Sequence, residues 1–304
     1  MKLRETFAIV LIALSATVHS DRISKTNPPP PPVPDPETRL QNATNHLQFT
    51  GCSGPVQQYP SSWPNSHYYK RYCSTYFGLS VVTDGIAPDE ALHRTAFILD
   101  SMMQNMASYV PDIMKQTGFR QAVMGRYPSE TVTSLPEYSH LDPDFWRDRR
   151  GCGATVATPV GCNAEEDVLC YPDDLYPEMD ITVHEFGHSL HWLGFGQLWP
   201  EFQGTRLNQQ TEIFETYFMQ IDLDACYNNA YANSLWGWGY VGAYAMQNSD
   251  EYFAQGLMSY FDVQWPYDQD APTNRDQLFA MDPMFANFID RWMYQNNWRG
   301  GCPP

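Results

Sequence analysis

The chain has 304 residues, 43% hydrophobic and 14% aromatic, enough apolar surface for a sizeable core, which excludes a disordered polypeptide. Its 18 Lys and Arg stand against 35 Asp and Glu, a formal net charge of −17. Such an acidic chain repels phosphate backbones and anionic lipid, so neither nucleic-acid binding nor stable membrane insertion is expected of it.

The first twenty residues read as a secretory signal peptide. Lys2 and Arg4 form a basic start, Phe7 to Val18 is mostly apolar, and Val18 and Ser20 supply the small residues of a cleavage site. Residues 21–50 follow as a spacer or pro-segment. Pro28 to Pro32 and the Val-Pro-Asp-Pro after them favour an extended polyproline conformation over a packed one. Asn42-Ala43-Thr44 is an acceptor for N-linked glycan, in keeping with a secreted, extracellular chain. Residues 51–304 then form one domain, since no internal repeat or second linker divides them.

All seven cysteines, Cys52, Cys73, Cys152, Cys162, Cys170, Cys226 and Cys302, lie beyond the leader. In an oxidising compartment most should pair, leaving one free or intermolecular. Short loops favour Cys52 with Cys73 and Cys152 with Cys162.

Within the domain, Pro88-Asp89-Glu90 opens a helix carrying Phe97, Leu99, Met102, Met103 and Met106. Its acidic residues sit at the positive end of the helix dipole, and its Met-rich face reads as core. Gln121 to Met124 reads as a strand, and Ala154 to Ala157 as a second within a glycine-punctuated loop. From Glu178 onward the pattern is helical, with segments at Thr211–Leu223, Ser249–Phe261 and Pro283–Gln295. Strands first and helices later predict an α+β fold.

The chemistry is concentrated in His184-Glu185-Phe186-Gly187-His188, an H-E-x-x-H sequence. Four residues make just over one helical turn, so both imidazoles point the same way and can reach one zinc ion. Glu185 flanks them, where it can take a proton from water. The competing reading is a satisfied pair of core histidines. The chance expectation of such a sequence in this chain is on the order of 0.01. Two histidines and a glutamate among Val183, Phe186, Leu190 and Leu193 are also costly to bury without a shared partner. Gly194 falls where a C-terminal cap would end this helix.

A catalytic zinc site needs a third protein ligand and one open position. The metzincin pattern would place glycine at 191 and histidine at 194. The chain has His191 and Gly194 there, which excludes that class. His191 is two turns from His184, about 10 Å along the axis, and reads as packing or as an outer support to the metal ligands. Glu251 is the better candidate, in the first turn of a helix capped by Asn248 or Ser249. Small Ala254 on its face would let the two helices approach closely. A capping box between Glu251 and Asn248 is the alternative reading, and Glu212, with Glu215 nearby, is the rival ligand on its own helix.

At these residues the chain resembles a known family. His184-Glu185-Phe186-Gly187-His188 followed by Glu251-Tyr252-Phe253-Ala254 is similar to the catalytic domain of anthrax lethal factor and its secreted single-domain relatives, zinc-dependent gluzincin endopeptidases. The resemblance implies a zincin-like domain with a small sheet, a buried active-site helix and a helical C-terminal half. It implies one Zn2+ per chain held by His184, His188 and Glu251, Glu185 as general base, and a peptide or protein substrate. Tyr244, seven residues before Glu251, takes by the same resemblance the place of a tyrosine facing the substrate oxygen. The chain departs from the family at Gln255, where a second glutamate is usual. Two other functions fit the same residues: a secreted zinc-binding toxin-like or adhesive module without turnover, and a zinc hydrolase of a non-peptide bond.

Overall fold

The computed structural model describes residues 50–106, 109–177, 179–196, 203–208, 213–237, 243–266 and 270–302. The leader, the proline-rich segment and Asn42 lie outside the described residues.

Five short strands form the main sheet: β1 (Gln57–Gln58), β2 (Arg71–Ser74), β3 (Ser80–Thr83), β4 (Arg120–Met124) and β5 (Val160–Ala164), ordered as in the chain. The first three pair antiparallel, and β3, β4 and β5 run parallel. The parallel step from β3 to β4 is bridged by helices α1 (Asp89–Met103) and α2 (Tyr109–Gln116). Short α3 (Pro143–Trp146) and α4 (Glu165–Val168) flank β5. The architecture is α+β, as expected.

Strand periodicity explains how this sheet is buried on both faces. Cys73, Val81 and Val123 point into a large core shared with the helices. Their neighbours Val82, Ala122 and Met124, with Val160, Cys162 and Ala164 of β5, point into a second core closed by Tyr59, Tyr69, Tyr138 and Trp146. On the helical side of β5, Gly161 leaves room for a helix. A Cβ there would lie 3.1 Å from Ser189 Oγ and 2.6 Å from Gln121 Oε1.

The helix that fills this space is α5 (Ile181–Ser189), every residue of which is buried. It packs between β5 and α7 (Ser249–Tyr260), and α7 is backed by α8 (Arg275–Met281) and α9 (Pro283–Trp292). A hairpin of β6 (Gln203–Asn208) and β7 (Ile213–Phe218) and helix α6 (Met219–Asn233) come between α5 and α7 in sequence. At the α7–α9 contact, Tyr252 stacks on Phe285 with ring centroids 3.7 Å apart. Gly256 is what admits Phe285, since a Cβ there would come within 2.2 Å of its ring.

Disulfides join Cys52–Cys73 and Cys152–Cys162, the two pairs expected from short loops. A third, Cys170–Cys302, ties the C-terminal end back across 132 positions. A cross-link of that span removes loop-closure entropy worth about 4–5 kcal/mol in the chain-entropy picture. Cys226 is the free thiol. It is buried inside the chain, and burial pushes it up to about 12, so it is neither exposed nor nucleophilic. Among the described residues, no helix is long and apolar enough to cross a membrane.

Four local expectations are corrected. Ala154 to Ala157 is a tight turn, closed by reciprocal backbone bonds between Thr155 and Thr158, and the strand lies at β5 instead. Of the helix expected over Thr211–Leu223, Ile213–Phe218 is the second strand of the hairpin and α6 starts only at Met219, while 211 and 212 lie outside the described residues. Ile213-Phe214-Glu215-Thr216-Tyr217-Phe218 is rich in β-branched and aromatic residues, which suit a pleated surface better than a helix. Gly194 does not end α5, which continues as a wider π-helix over Leu190–Gly196. The last helix stops at Trp292, because Tyr294 and Gln295 take left-handed backbone angles (φ 51° and 55°).

Asp100 of α1 is buried and accepts from the backbone N–H groups of Tyr76 (2.8 Å) and Phe77 (3.3 Å). Burial outweighs these bonds and pushes its carboxyl up to about 7. A carboxyl raised in the folded state stabilises fully below its unfolded value near 4 and loses that contribution as pH climbs through 7. Asp100→Asn loses one acceptor at every pH but no longer titrates. Denaturant melts from pH 4 to 8 should therefore show the variant gaining on the parent by roughly 2–4 kcal/mol across that window. Parallel pH profiles for the two proteins would refute this.

Candidate metal centre

The register of α5 is set at its first turn. Asp180 caps it, accepting from Val183 N, and Asp167 receives Ile181 N at 3.1 Å and the Thr182 hydroxyl at 3.3 Å. Helical spacing then stacks His184 and His188, with Nε2 atoms 3.1 Å apart and ring centroids 4.7 Å apart. Gly187, between them in sequence, touches α7. A Cβ on it would stand 3.4 Å from Ala254 Cα and 3.0 Å from Leu257 Cδ1.

That approach brings in Glu251. Asn248 caps α7 by accepting from Glu251 N at 2.8 Å. The Glu251 side chain does not turn back to complete a capping box. Its Oε2 lies 3.3 Å from His184 Nε2 and 3.4 Å from His188 Nε2. One ligand atom from each of the three residues falls within 4.8 Å of the others, and all three residues are buried.

The cluster is poorly satisfied as plain protein interior. Both oxygens of Glu251, Oε2 of Glu185 and Nδ1 of His188 are buried without a hydrogen-bond partner. Each such group carries a desolvation cost of about 1–3 kcal/mol, more where it is charged. Burial by itself would push the His188 imidazole down, but the neighbouring Glu251 charge lifts it to about 9. Burial likewise pushes Glu251 up, and His188 and then His184 draw it down to about 2. Two imidazoles and a carboxylate in this arrangement are a donor set suited to a divalent ion such as zinc, and such an ion would satisfy the orphaned carboxylate.

Glu185 stands on the same helix, with burial raising its carboxyl against the pull of His184 and His188. Tyr244 begins a 3-10 turn just before α7, and its ring centroid lies 6.4 Å from that of His184. His191 is engaged elsewhere. Its Nε2 pairs with Gln220 Oε1 at 2.7 Å and its Nδ1 stands 3.1 Å from Asp250. Of the rival ligands, Glu215 belongs to strand β7, and Glu212 lies outside the described residues.

Three contributors escaped the sequence reading. Gly151 and Gly153 lie directly on the site: a Cβ on Gly151 would stand 2.5 Å from Glu185 Cγ, and one on Gly153 2.5 Å from His188 Cβ. Ser189 fastens that segment to the helix, donating to Glu185 O and accepting from Ala154 N, both at 3.0 Å. The Gly-Cys-Gly spacing around a paired cysteine was the available signal for a backbone that must pass close to something.

No protein-family model matches the chain, and no curated protein matches it. Among solved structures it is similar to a Pro-Pro endopeptidase from Paenibacillus alvei, at 13% identity and a TM-score of 0.43. That match covers 69% of this chain and 96% of the other.

Metal content tests the candidate triad of His184, His188 and Glu251. Glu251→Ala is expected to lose stoichiometric zinc on dialysis, because two neutral imidazoles hold the ion far less tightly. Glu215→Ala should retain it. Elemental analysis of folded protein decides the matter, and a fully loaded Glu251→Ala variant would remove Glu251 from the site.

Proposed function

We propose that this chain is a secreted zinc-dependent endopeptidase of gluzincin type, with residues 51–304 as the peptidase domain behind a signal peptide (1–20) and a proline-rich spacer or pro-segment (21–50). The observation that carries the reading is the buried meeting of His184, His188 and Glu251 beside an unpartnered Glu185 oxygen. The likeness of these residues and of Tyr244 to the lethal-factor catalytic domain supports it further. Three disulfides and a free thiol sequestered in the core suit an oxidising, extracellular setting.

In this reading His184 Nε2, His188 Nε2 and a Glu251 oxygen hold one zinc ion. When bound, the ion supplies Lewis acidity, lowering the pKa of water and polarising a carbonyl oxygen. Glu185 Oε2 accepts the proton of the attacking water and delivers it to the departing amine. A carboxyl raised by burial is the stronger base for the first transfer. The Tyr244 phenol donates a hydrogen bond to the oxyanion that develops at the scissile carbonyl. Gly151 leaves Glu185 the room it occupies, since a Cβ there would lie 2.5 Å from Glu185 Cγ.

Incubation with a broad peptide library, with and without chelator, tests the activity. Chelator-sensitive cleavage supports the proposal, cleavage of non-peptide esters alone points to a different hydrolase, and zinc uptake without any turnover points to a binding module. Glu185→Gln keeps the shape of the side chain but not its basicity. It should lower turnover by about 10²–10⁴-fold with zinc content near one per chain. Parent-like cleavage by that variant would show that another group takes the proton.

Tyr244→Phe separates an oxyanion donor from an aromatic core residue. Loss of one such donor is expected to cost about 10²–10³-fold in kcat, with zinc content and melting temperature little changed. If turnover is unaffected, the phenol plays no part in the reaction.

A further inference from the structure

The first turn of α5 is held from two sides. On one side Asp167 of α4 accepts from Ile181 N and from the Thr182 hydroxyl. On the other, Asp180 N donates to the carbonyl of Val263, just past α7, at 3.3 Å. Neither support stands alone. Cys170 follows Asp167 by three residues and donates its N–H to the Asp167 carbonyl at 3.2 Å. The C-terminal tail clamps the segment at Val263. Gly300 N donates to Phe261 O at 2.8 Å, and Trp298 packs on Phe261 with ring centroids 5.1 Å apart. Arg94 of α1 fastens the same tail, donating to Gly301 O at 2.6 Å. Cys302, the next residue, is bonded to Cys170. One disulfide thus joins both supports of the helix that carries His184 and His188.

The three disulfides differ in access. Cys52, Cys73, Cys152 and Cys162 are 7%, 1%, 3% and 0% exposed, whereas Cys302 is exposed and Cys170 half-buried. Exchange requires a thiolate to reach a sulfur, so an external thiol meets Cys302 first. Cys170 also holds a backbone φ of 57°, in the left-handed region. A residue with a Cβ stays there only where its surroundings over-determine it, and the cross-link is one of those constraints.

We propose that Cys170–Cys302 is a redox switch acting on the metal centre. Resting on the metal-site reading above, it adds the class of reagent that controls that site, a dithiol. One thiolate of the dithiol attacks Cys302 Sγ, and the bond to Cys170 breaks. Cys170 leaves with the electron pair and takes a proton from solvent. The second thiolate of the dithiol then attacks its partner sulfur in the mixed disulfide and releases Cys302, which is protonated in turn. The protein gains two electrons and two protons, and the dithiol loses the same and closes to a disulfide. With the tail released, Asp167 and Val263 no longer hold α5 as one unit. Its first turn loosens, and His184 and His188 lose their fixed approach to Glu251. Zinc affinity falls in the reduced state and returns on oxidation.

The test needs no activity measurement. Metal-free protein is treated with dithiothreitol, the freed thiols are alkylated with iodoacetamide so that they cannot ligate metal, and the reagents are removed. Peptide mapping, hydrogen exchange and zinc titration against a chelator follow. The expected result is label on Cys170 and Cys302 alone, with faster exchange confined to 165–189, 261–263 and 296–302. Zinc affinity should fall about 5–150-fold, the usual range of coupling between two sites. A portion reoxidised instead of alkylated should recover it. The double variant Cys170→Ser/Cys302→Ser should bind zinc as the reduced parent does, with no further response to dithiothreitol. Opening of Cys52–Cys73 or Cys152–Cys162 first would overturn the proposal, as would loss of protection over the whole chain. So would reduced and oxidised proteins that bind zinc within about twofold of each other, a result that leaves the metal site standing. If the oxidised parent takes up no zinc, the metal-site reading falls, and the switch with it.

Discussion

The site depends on one close approach between two helices. Gly187 of α5 lies against the Ala254 backbone of α7, and a Cβ on Gly187 would already be in contact with Ala254 Cα and tight against Leu257. The separation of packed helices follows the size of the side chains between them. Here the smallest residues stand at the contact, and the converging groups stand on either side of it. Only at this separation do two imidazoles from one helix and a carboxylate from the other come within bonding reach of a common ion. The far side of α7 is held by the same means, with Gly256 admitting the Phe285 ring.

A helix buried on every face needs strong fixing at its end, because its first N–H groups have no water to turn to. Asp180 and Asp167 accept at the first turn, and burial drives the Asp167 carboxyl far up, with Asp180 beside it adding to the effect. Arg150 anchors the neighbouring segment. It is buried, pairs with Glu166, and donates to the backbone carbonyls of Glu130 (2.7 Å) and Gly125 (2.8 Å). From that anchor the chain runs through Gly151 and Gly153 across Glu185 and His188, and the Cys152–Cys162 disulfide fastens it to β5. The polar groups of the site are therefore placed by rigid surroundings on three sides: the edge strand, the stapled glycine segment and α7.

The readable parts of the sequence were those whose physics is local. The α1 pattern as far as Met103, the α7 cap at Asn248 and the two short-loop disulfides each depend on residues close in the chain and are found where expected, whereas Met106 falls in the turn beyond α1. The errors share a different cause. Thr211–Leu223 carries apolar residues that suit either a helix or a strand, and pairing with β6 decided for the strand up to Phe218. Ala154 to Ala157 alternates acceptably for a strand, yet the Thr155–Thr158 turn bends it away and leaves the edge of the sheet to β5. Gly194 looked like a cap, but the chain continues in a wider turn there, packed against Val110 and Met114 of α2.

By itself the sequence determined that His184 and His188 share a helical face with Glu185 beside them, since the 3.6-residue turn requires it wherever that helix lies. It also made Glu251 a candidate, by placing it in a first turn behind Asn248, but so local a pattern served a capping box equally well. Only the tertiary structure shows the Glu251 side chain turned towards His184 and His188, because a side chain turns towards whatever the opposing helix presents. The distance from α5 to α7 is set by Gly187 and Ala254, 67 positions apart in the chain. The same is true of Gly151, Gly153 and Ser189. Their importance comes from what lies across a packed interface, and no periodicity along the chain encodes it.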